Sequence, residues 1–207
     1  VKPVEAASVT TLLETLRQLE AVKLRETAAT NFMARPRTYA PDTVIVPALS
    51  RLHRRHGDKT TDPAFVRLWK HAVNFLLARS EFSPPAPTDW AQPVKLDCDC
   101  ADCRGLQAFA EDPARQVHRF RVRKDRRQHL HQTIERYHLD MTHQTERIGS
   151  PQTLVCTKTR WTYEKRCQQY ASDIGHFQTL LGVAGKVPKR LESLLERMRQ
   201  AIRRAGR

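Results

Sequence analysis

A chain of 207 residues with 40% hydrophobic and 28% charged side chains is long enough for one good-sized core or two small ones, which excludes wholesale disorder. No apolar run approaches the roughly 18 residues of a bilayer-spanning helix and the N-terminus has no signal-peptide pattern, so a soluble, intracellular protein, nuclear or cytoplasmic, is expected. The 36 Lys plus Arg against 22 Asp plus Glu leave a formal net charge of +14. That excess favours polyanionic partners through steering and counterion release, although solubility or an acidic protein neighbour would explain it equally.

Ser8 is the expected cap of a first helix, in which Leu12, Leu13, Leu16, Leu19, Val22 and Leu24 keep a helical period to about Ala29. Asp42 opens a second, with Val44, Val46, Leu49 and Leu52 inside, Pro47 near its first turn and Gly57 as its stop. Asp62-Pro63, a cap followed by proline at the first helical position, starts a third that buries Phe65, Leu68, Trp69, Ala72, Val73, Phe75 and Leu76. Three amphipathic helices over 1–82 predict a small helical bundle, or else one and a half helical-repeat units, with no sequence repeat to decide between them. The run Ser83-Pro84-Pro85-Ala86-Pro87 marks a stiff linker, extended over 83–97.

Residues 98–207 read as a second subdomain. It contains a short helix over about 103–111 ended by Asp112-Pro113, a strand from Val117 to Val122, and a helix over 125–137 with Leu130 and Ile134 buried. Strand-like runs over about 140–147 and 152–159 flank Gly149-Ser150-Pro151 and predict a hairpin. Helices over about 162–181 and 188–204 complete the chain. The expected fold class is mainly α (α+β): an N-terminal three-helix bundle, then a zinc knuckle with a small β-hairpin and two C-terminal helices.

The sharpest local chemistry is Cys98-x-Cys100-x-x-Cys103. Three thiolates on a tight turn grip one soft cation, and in a reducing compartment zinc is the usual occupant. Cys98 and Cys100 are too close in sequence to pair as a disulfide. A closed site needs a fourth ligand, for which His118, His129, His131, His138 and His143 are candidates; His129, on the helix facing the knuckle, is preferred, with His118 next. Cys156 and Cys167 lie on a strand and a helix far along the chain, which disfavours a four-cysteine iron–sulfur cluster and suits core packing. A plain loop holding three ordinary cysteines is the alternative.

From Arg115 to Arg127, seven of thirteen residues are basic: Arg115, Arg119, Arg121, Arg123, Lys124, Arg126 and Arg127, opposed only by Asp125. Arg119, Arg121 and Arg123 fall on one face of a strand, with Phe120 and Val122 on the other. Such a row suits phosphate contacts in nucleic acid, and the same run would serve as a nuclear address. The competing reading is a clamp on Asp97, Asp99 and Asp102.

The run Cys98-Asp99-Cys100-Ala101-Asp102-Cys103-Arg104-Gly105-Leu106-Gln107-Ala108-Phe109, with Asp112-Pro113, Arg127-Gln128-His129-Leu130 and the stretch from Thr145-Glu146-Arg147 to Thr157-Lys158-Thr159, resembles the C-terminal region of large, mostly fungal proteins. Those proteins carry an iron(II)/2-oxoglutarate dioxygenase domain of the prolyl-hydroxylase type in their N-terminal part. The resemblance spans about residues 10–175. It implies a dioxygenase upstream of Val1 in a longer parent protein, and a fixed module of Cys98, Cys100, Cys103 and His129. This chain also contains His138-x-Asp140, then His176 and Lys186, which imitates a facial triad with an oxoglutarate-binding base. The few strands expected here are too few for the double-stranded sheet of about eight that such a site requires.

Together these features predict a non-catalytic, zinc-stabilised basic accessory domain that binds nucleic acid beside a dioxygenase. The alternative is a protein-interaction or scaffolding domain docking an acidic partner or the parent enzyme. Neither a membrane nor a small-molecule substrate is expected.

Overall fold

In a computed structural model, residues 4–57, 62–185 and 191–206 are described. The chain divides into two compact units, Val1–Pro84 with Cys167–Arg207, and Pro85–Arg166. Among the described residues no helix is long and apolar enough to cross a membrane.

The first unit contains α1 (Ala6–Gln18), α2 (Val22–Met33), α3 (Val46–His56), α4 (Pro63–Ser80), the C-terminal part of α7 (Trp161–Gly182) and α8 (Glu192–Ala205). The single first helix expected from its leucines is two. Glu20 takes φ 53, and this left-handed residue breaks the helix and resets its phase. Val9 and Leu13 are therefore buried, while Leu12, Leu19, Val22 and Leu24 face solvent. Ser8 lies inside α1, whose cap position is Glu5. A π-helical turn, Pro41–Ile45, precedes α3, and Gly57 at φ 67 ends that helix. Asp62 caps α4 as expected, accepting from Ala64 N at 3.0 Å.

Assigning the two C-terminal helices to the knuckle subdomain does not match the packing. Phe177, Leu180, Leu194, Leu195, Met198 and Ala201 share one core with Leu49, Leu68, Trp69 and Leu76, because their apolar stripes need the helical unit for burial. Two polar links reinforce this. Trp69 Nε1 donates to Leu180 O at 2.9 Å. The fully buried Asp173 carboxylate accepts from Arg79 Nε at 2.8 Å and Nη2 at 2.6 Å, and from Ser80 Oγ at 2.5 Å.

The second unit holds α5 (Ala101–Glu111), β1 (Val117–Arg121), α6 (Lys124–Arg136), β2 (Met141–Glu146) and β3 (Thr153–Lys158). The expected hairpin is present, with Met141 opposite Lys158 and Glu146 opposite Thr153. The strand from 117 joins it, Val117 opposite Thr157, giving an antiparallel sheet of order β1-β3-β2. Leu154 and Cys156 of the central strand meet Leu106, Phe109, Leu130 and Ile134 in a small core. Lys158 is buried with them; its Nζ donates to Asp112 O at 2.6 Å and lies 4.8 Å from the Phe109 ring centroid. A cation there satisfies the carbonyl end of α5. Cys167, expected in a core, is only half-buried.

Candidate metal centre

The knuckle is built where the N-terminus of α5 meets the second turn of α6. Cys100 occupies the cap position of α5, and its sulfur accepts the Cys103 N–H at 3.4 Å. Three residues on, Cys103 lies on the helix face packed into the small core and is fully buried. From α6, His129 Nε2 reaches Cys103 Sγ at 3.1 Å, Cys98 Sγ at 3.5 Å and Cys100 Sγ at 3.6 Å. All four ligand atoms lie within 4.8 Å of one another, placing Cys98, Cys100, Cys103 and His129 to hold a metal ion.

Surrounding groups fix this geometry. Thr133, one turn beyond His129, donates to His129 O at 2.9 Å and stands 3.8 Å from Cys103 Sγ. The loop backbone is tethered to both helices, Leu96 N donating to Gln107 Oε1 at 3.2 Å and Asp97 N to Tyr137 Oη at 2.9 Å. Arg126 forms a two-pronged ion pair with Asp102, and Arg104 Nη1 donates to Asp99 O at 2.5 Å. The clamp read from the acidic trio thus exists at Asp102, through Arg126 alone of the basic segment. These tethers were not anticipated, although Thr133 and Tyr137 repeat the four-residue spacing from His129 that sets one helix face.

The thiols are electrostatically unequal. The Cys103 amide brings Cys100 down to about 7, an effect of a helix N-terminus on a thiolate. Burial, then the neighbouring Cys100 sulfur, push Cys103 up to about 12. Without a cation the buried sulfur keeps its proton; a divalent ion between the sulfurs favours release of that proton.

Of the other candidate histidines, His118 packs between Phe109 and Phe120, with ring centroids 5.3 and 4.4 Å away. His131 faces His143, their Nδ1 atoms 2.5 Å apart. His138 follows α6 at φ 49. His129 is the histidine brought to the three sulfurs.

The seven-residue basic segment splits into three kinds of side chain. Arg127 is buried, with Nη1 donating to Val122 O at 2.6 Å and Gln152 O at 3.2 Å, and Nη2 to Gln152 Oε1 at 2.9 Å. It therefore leaves the exposed basic face expected for it. Arg115, Arg119 and Arg126 are already ion-paired, with Asp112, Glu146 and Asp102. Arg121, Arg123 and Lys124 are exposed and have no ion-pair partner among the described residues. Phe120 and Val122 are buried on the opposite strand face.

The facial-triad imitation takes a different form. Asp140 accepts from the Thr159 hydroxyl, from Trp161 N at 3.1 Å and from Thr162 N at 2.9 Å, so its carboxylate caps α7. His176 stands 3.8 Å from the buried Asp173. Lys186 lies outside the described residues. Compared with known proteins, no family model, no curated protein and no solved structure matches the chain.

Proposed function

We propose that Cys98, Cys100, Cys103 and His129 hold one structural zinc ion, and that residues 85–166 form a non-catalytic basic module for the nucleic-acid backbone. Tetrahedral zinc, with sulfur at about 2.3 Å and nitrogen at about 2.0–2.1 Å, sets each nitrogen–sulfur separation near 3.5 Å. Two of the three such distances here, 3.5 and 3.6 Å, lie at that separation and the third, 3.1 Å, is shorter, which supports a site of this size. Four protein ligands leave no position for a reacting water, which favours a structural role over a catalytic one.

The observation that carries the nucleic-acid reading is the pair Arg121 and Arg123, exposed and without acidic partners among the described residues. Two guanidinium groups at alternate positions near one strand end are suited to successive phosphates. The resemblance in sequence adds that this module accompanies a dioxygenase in a longer protein. The test is oligonucleotide binding across a salt series, duplex and single-stranded. Arg121→Ala with Arg123→Ala should flatten the slope of log K against log[salt] by about two, without changing any sequence preference. A folded double variant with the wild-type slope eliminates this face, and wild-type protein without salt-dependent binding eliminates nucleic acid.

One observation favours a second reading. Ile148 is 83% exposed in the hairpin turn, beside Gly149, whose Cβ position would lie 4.0 Å from Arg121 Nη2. An apolar side chain set among cations suits an acidic protein partner. Loss of an acidic peptide on Ile148→Ser, with no oligonucleotide binding in the wild type, would decide for it.

A further inference from the structure

Between the first turns of α6 and the turn end of the β2–β3 hairpin lies a cavity of about 500 Å³, separate from the metal ligands. Lys124, Arg127, Gln128, His131, Thr145 and Arg147 line it, and no carboxylate does. Arg127 is the telling member. It is a buried guanidinium, 8% exposed, with no ion pair among the described residues, and buried charges are ordinarily paired. Of the five N–H donors of an arginine, three are spent on Val122 O, Gln152 O and Gln152 Oε1. The other two make no hydrogen bond among the described residues, while those three bonds hold the guanidinium in one orientation.

Other features of the cavity have the same sign. Lys124 and Arg147 are exposed and unpaired among the described residues. The cavity opens at the N-terminus of α6, where Arg123 in the cap position supplies no side-chain acceptor, so helix N–H groups add positive potential. His131 Nε2 and Thr145 Oγ1, 3.3 Å apart, add further hydrogen-bonding groups on the wall.

We propose that this cavity binds a phosphate monoester dianion. Three cations lining one site exceed what a singly charged diester neutralises, and Arg127, held by its three bonds, is the oriented one among them. The volume exceeds a phosphate group and leaves room for the group it is attached to. The monoester has two possible sources, a small phosphorylated molecule or the terminal phosphate of an oligonucleotide. The site does not depend on the nucleic-acid role proposed for Arg121 and Arg123.

Inorganic phosphate titrated into the intact, metal-loaded chain at constant ionic strength, followed by calorimetry and amide NMR, tests it. Binding should saturate and perturb Gln128, Thr145 and Gln152. Arg147→Ala should weaken it about tenfold, and Lys124→Ala with Arg147→Ala further, with an unchanged melting temperature. Both side chains are exposed, so the test survives even where Arg127→Lys fails to fold. Preference for a 5′-phosphorylated oligonucleotide over its 5′-hydroxyl counterpart would identify a nucleic-acid end. Equal binding of the two, with phosphate still bound, would identify a small molecule. No saturable phosphate binding, or unchanged binding in the double variant, overturns the site. The readouts separate the two proposals, because Arg121→Ala with Arg123→Ala should spare phosphate binding, whereas the cavity variants should spare the 5′-hydroxyl oligonucleotide.

Discussion

The helical unit and the knuckle unit hold themselves together by different means. In the first, Leu49, Leu68, Trp69, Leu76, Phe177, Leu180 and Met198 belong to one extended apolar cluster drawn from most of its helices. The second has a shorter list around Leu106, Phe109, Leu130, Ile134 and Leu154, and one member is itself a candidate metal ligand, Cys103. A core of that size is marginal for a small domain, and a metal staple between α5 and α6 is a common remedy. The comparison teaches that stability in one unit is spread over many side chains. In the other, on the proposed metal binding, it should be concentrated on four.

The largest expected effect follows directly. Removing metal with a chelator from reduced protein should unfold residues 85–166 and leave the helical unit folded, since structural zinc contributes about 10–16 kcal/mol in small metal domains. Elemental analysis should find about one zinc per chain, and Cys100→Ser should abolish it. Hydrogen exchange checks the outcome: Leu106, Leu130 and Ile134 should lose protection while Leu68 and Leu76 keep it. Equal loss in both units, or none in either, would break the comparison.

Acid should separate the units in the same order. Metal ligands bind deprotonated, so protons compete as pH falls, and the knuckle should release its ion between about pH 6 and 4. In the helical unit, burial raises Asp42 but hydrogen bonds from Arg79 and Thr43 N outweigh it, leaving Asp42 below the usual carboxylate range. A depressed folded value contributes stability above the unfolded value and loses it as pH falls through the folded one, so this unit should yield only below about pH 4. Circular dichroism with metal release followed in parallel would show two steps, and a single step would refute the separation.

Within the helical unit two substitutions sharpen the contrast. Asp173→Asn leaves Arg79 with Asp42 as its remaining anion but replaces one acceptor oxygen of the buried carboxylate by an amide donor facing Arg79 or Ser80, and should cost about 1–3 kcal/mol. Leu76→Ala should cost about 2–5 kcal/mol at its fully buried site. Both losses should appear in denaturant midpoints without altering metal content. A change under half a kcal/mol for Leu76→Ala would mean the core does not close as described.

How legible each unit was follows from the same difference. Point chemistry carries its address in the spacing, so Cys98, Cys100, Cys103 and His129 were readable, as were the Asp62-Pro63 helix start and the Gly57 stop. Periodicity misled at the first helix: the leucines from Leu12 to Leu24 keep a helical period, but Glu20 interrupts the phase, and Leu12, Leu19 and Leu24 face solvent. Nor does local pattern say which core an amphipathic helix joins. The two C-terminal helices followed the knuckle in sequence, yet they pack with the N-terminal bundle. Arg127 was misjudged for a related reason, since a basic run does not reveal which member turns inward to bind Val122 O and Gln152.

The smallest expected effect concerns Asp140, where the sequence imitates an oxygenase. Its carboxylate accepts from Trp161 N and Thr162 N at the start of α7 and from the Thr159 hydroxyl, the work of a helix cap. As a cap, Asp140→Ala should cost about 1 kcal/mol, and Asp140→Asn less, since an asparagine oxygen still accepts one amide. As an iron ligand, either change would remove a metal ion and leave the helix start unaffected. The measurement is therefore paired: melting temperature and metal content on the same samples. A small drop in melting temperature with zinc still at about one per chain assigns Asp140 to structure. An altered metal complement with no loss of stability would instead make Asp140 a metal ligand, and the assignment of its carboxylate to the start of α7 would fail.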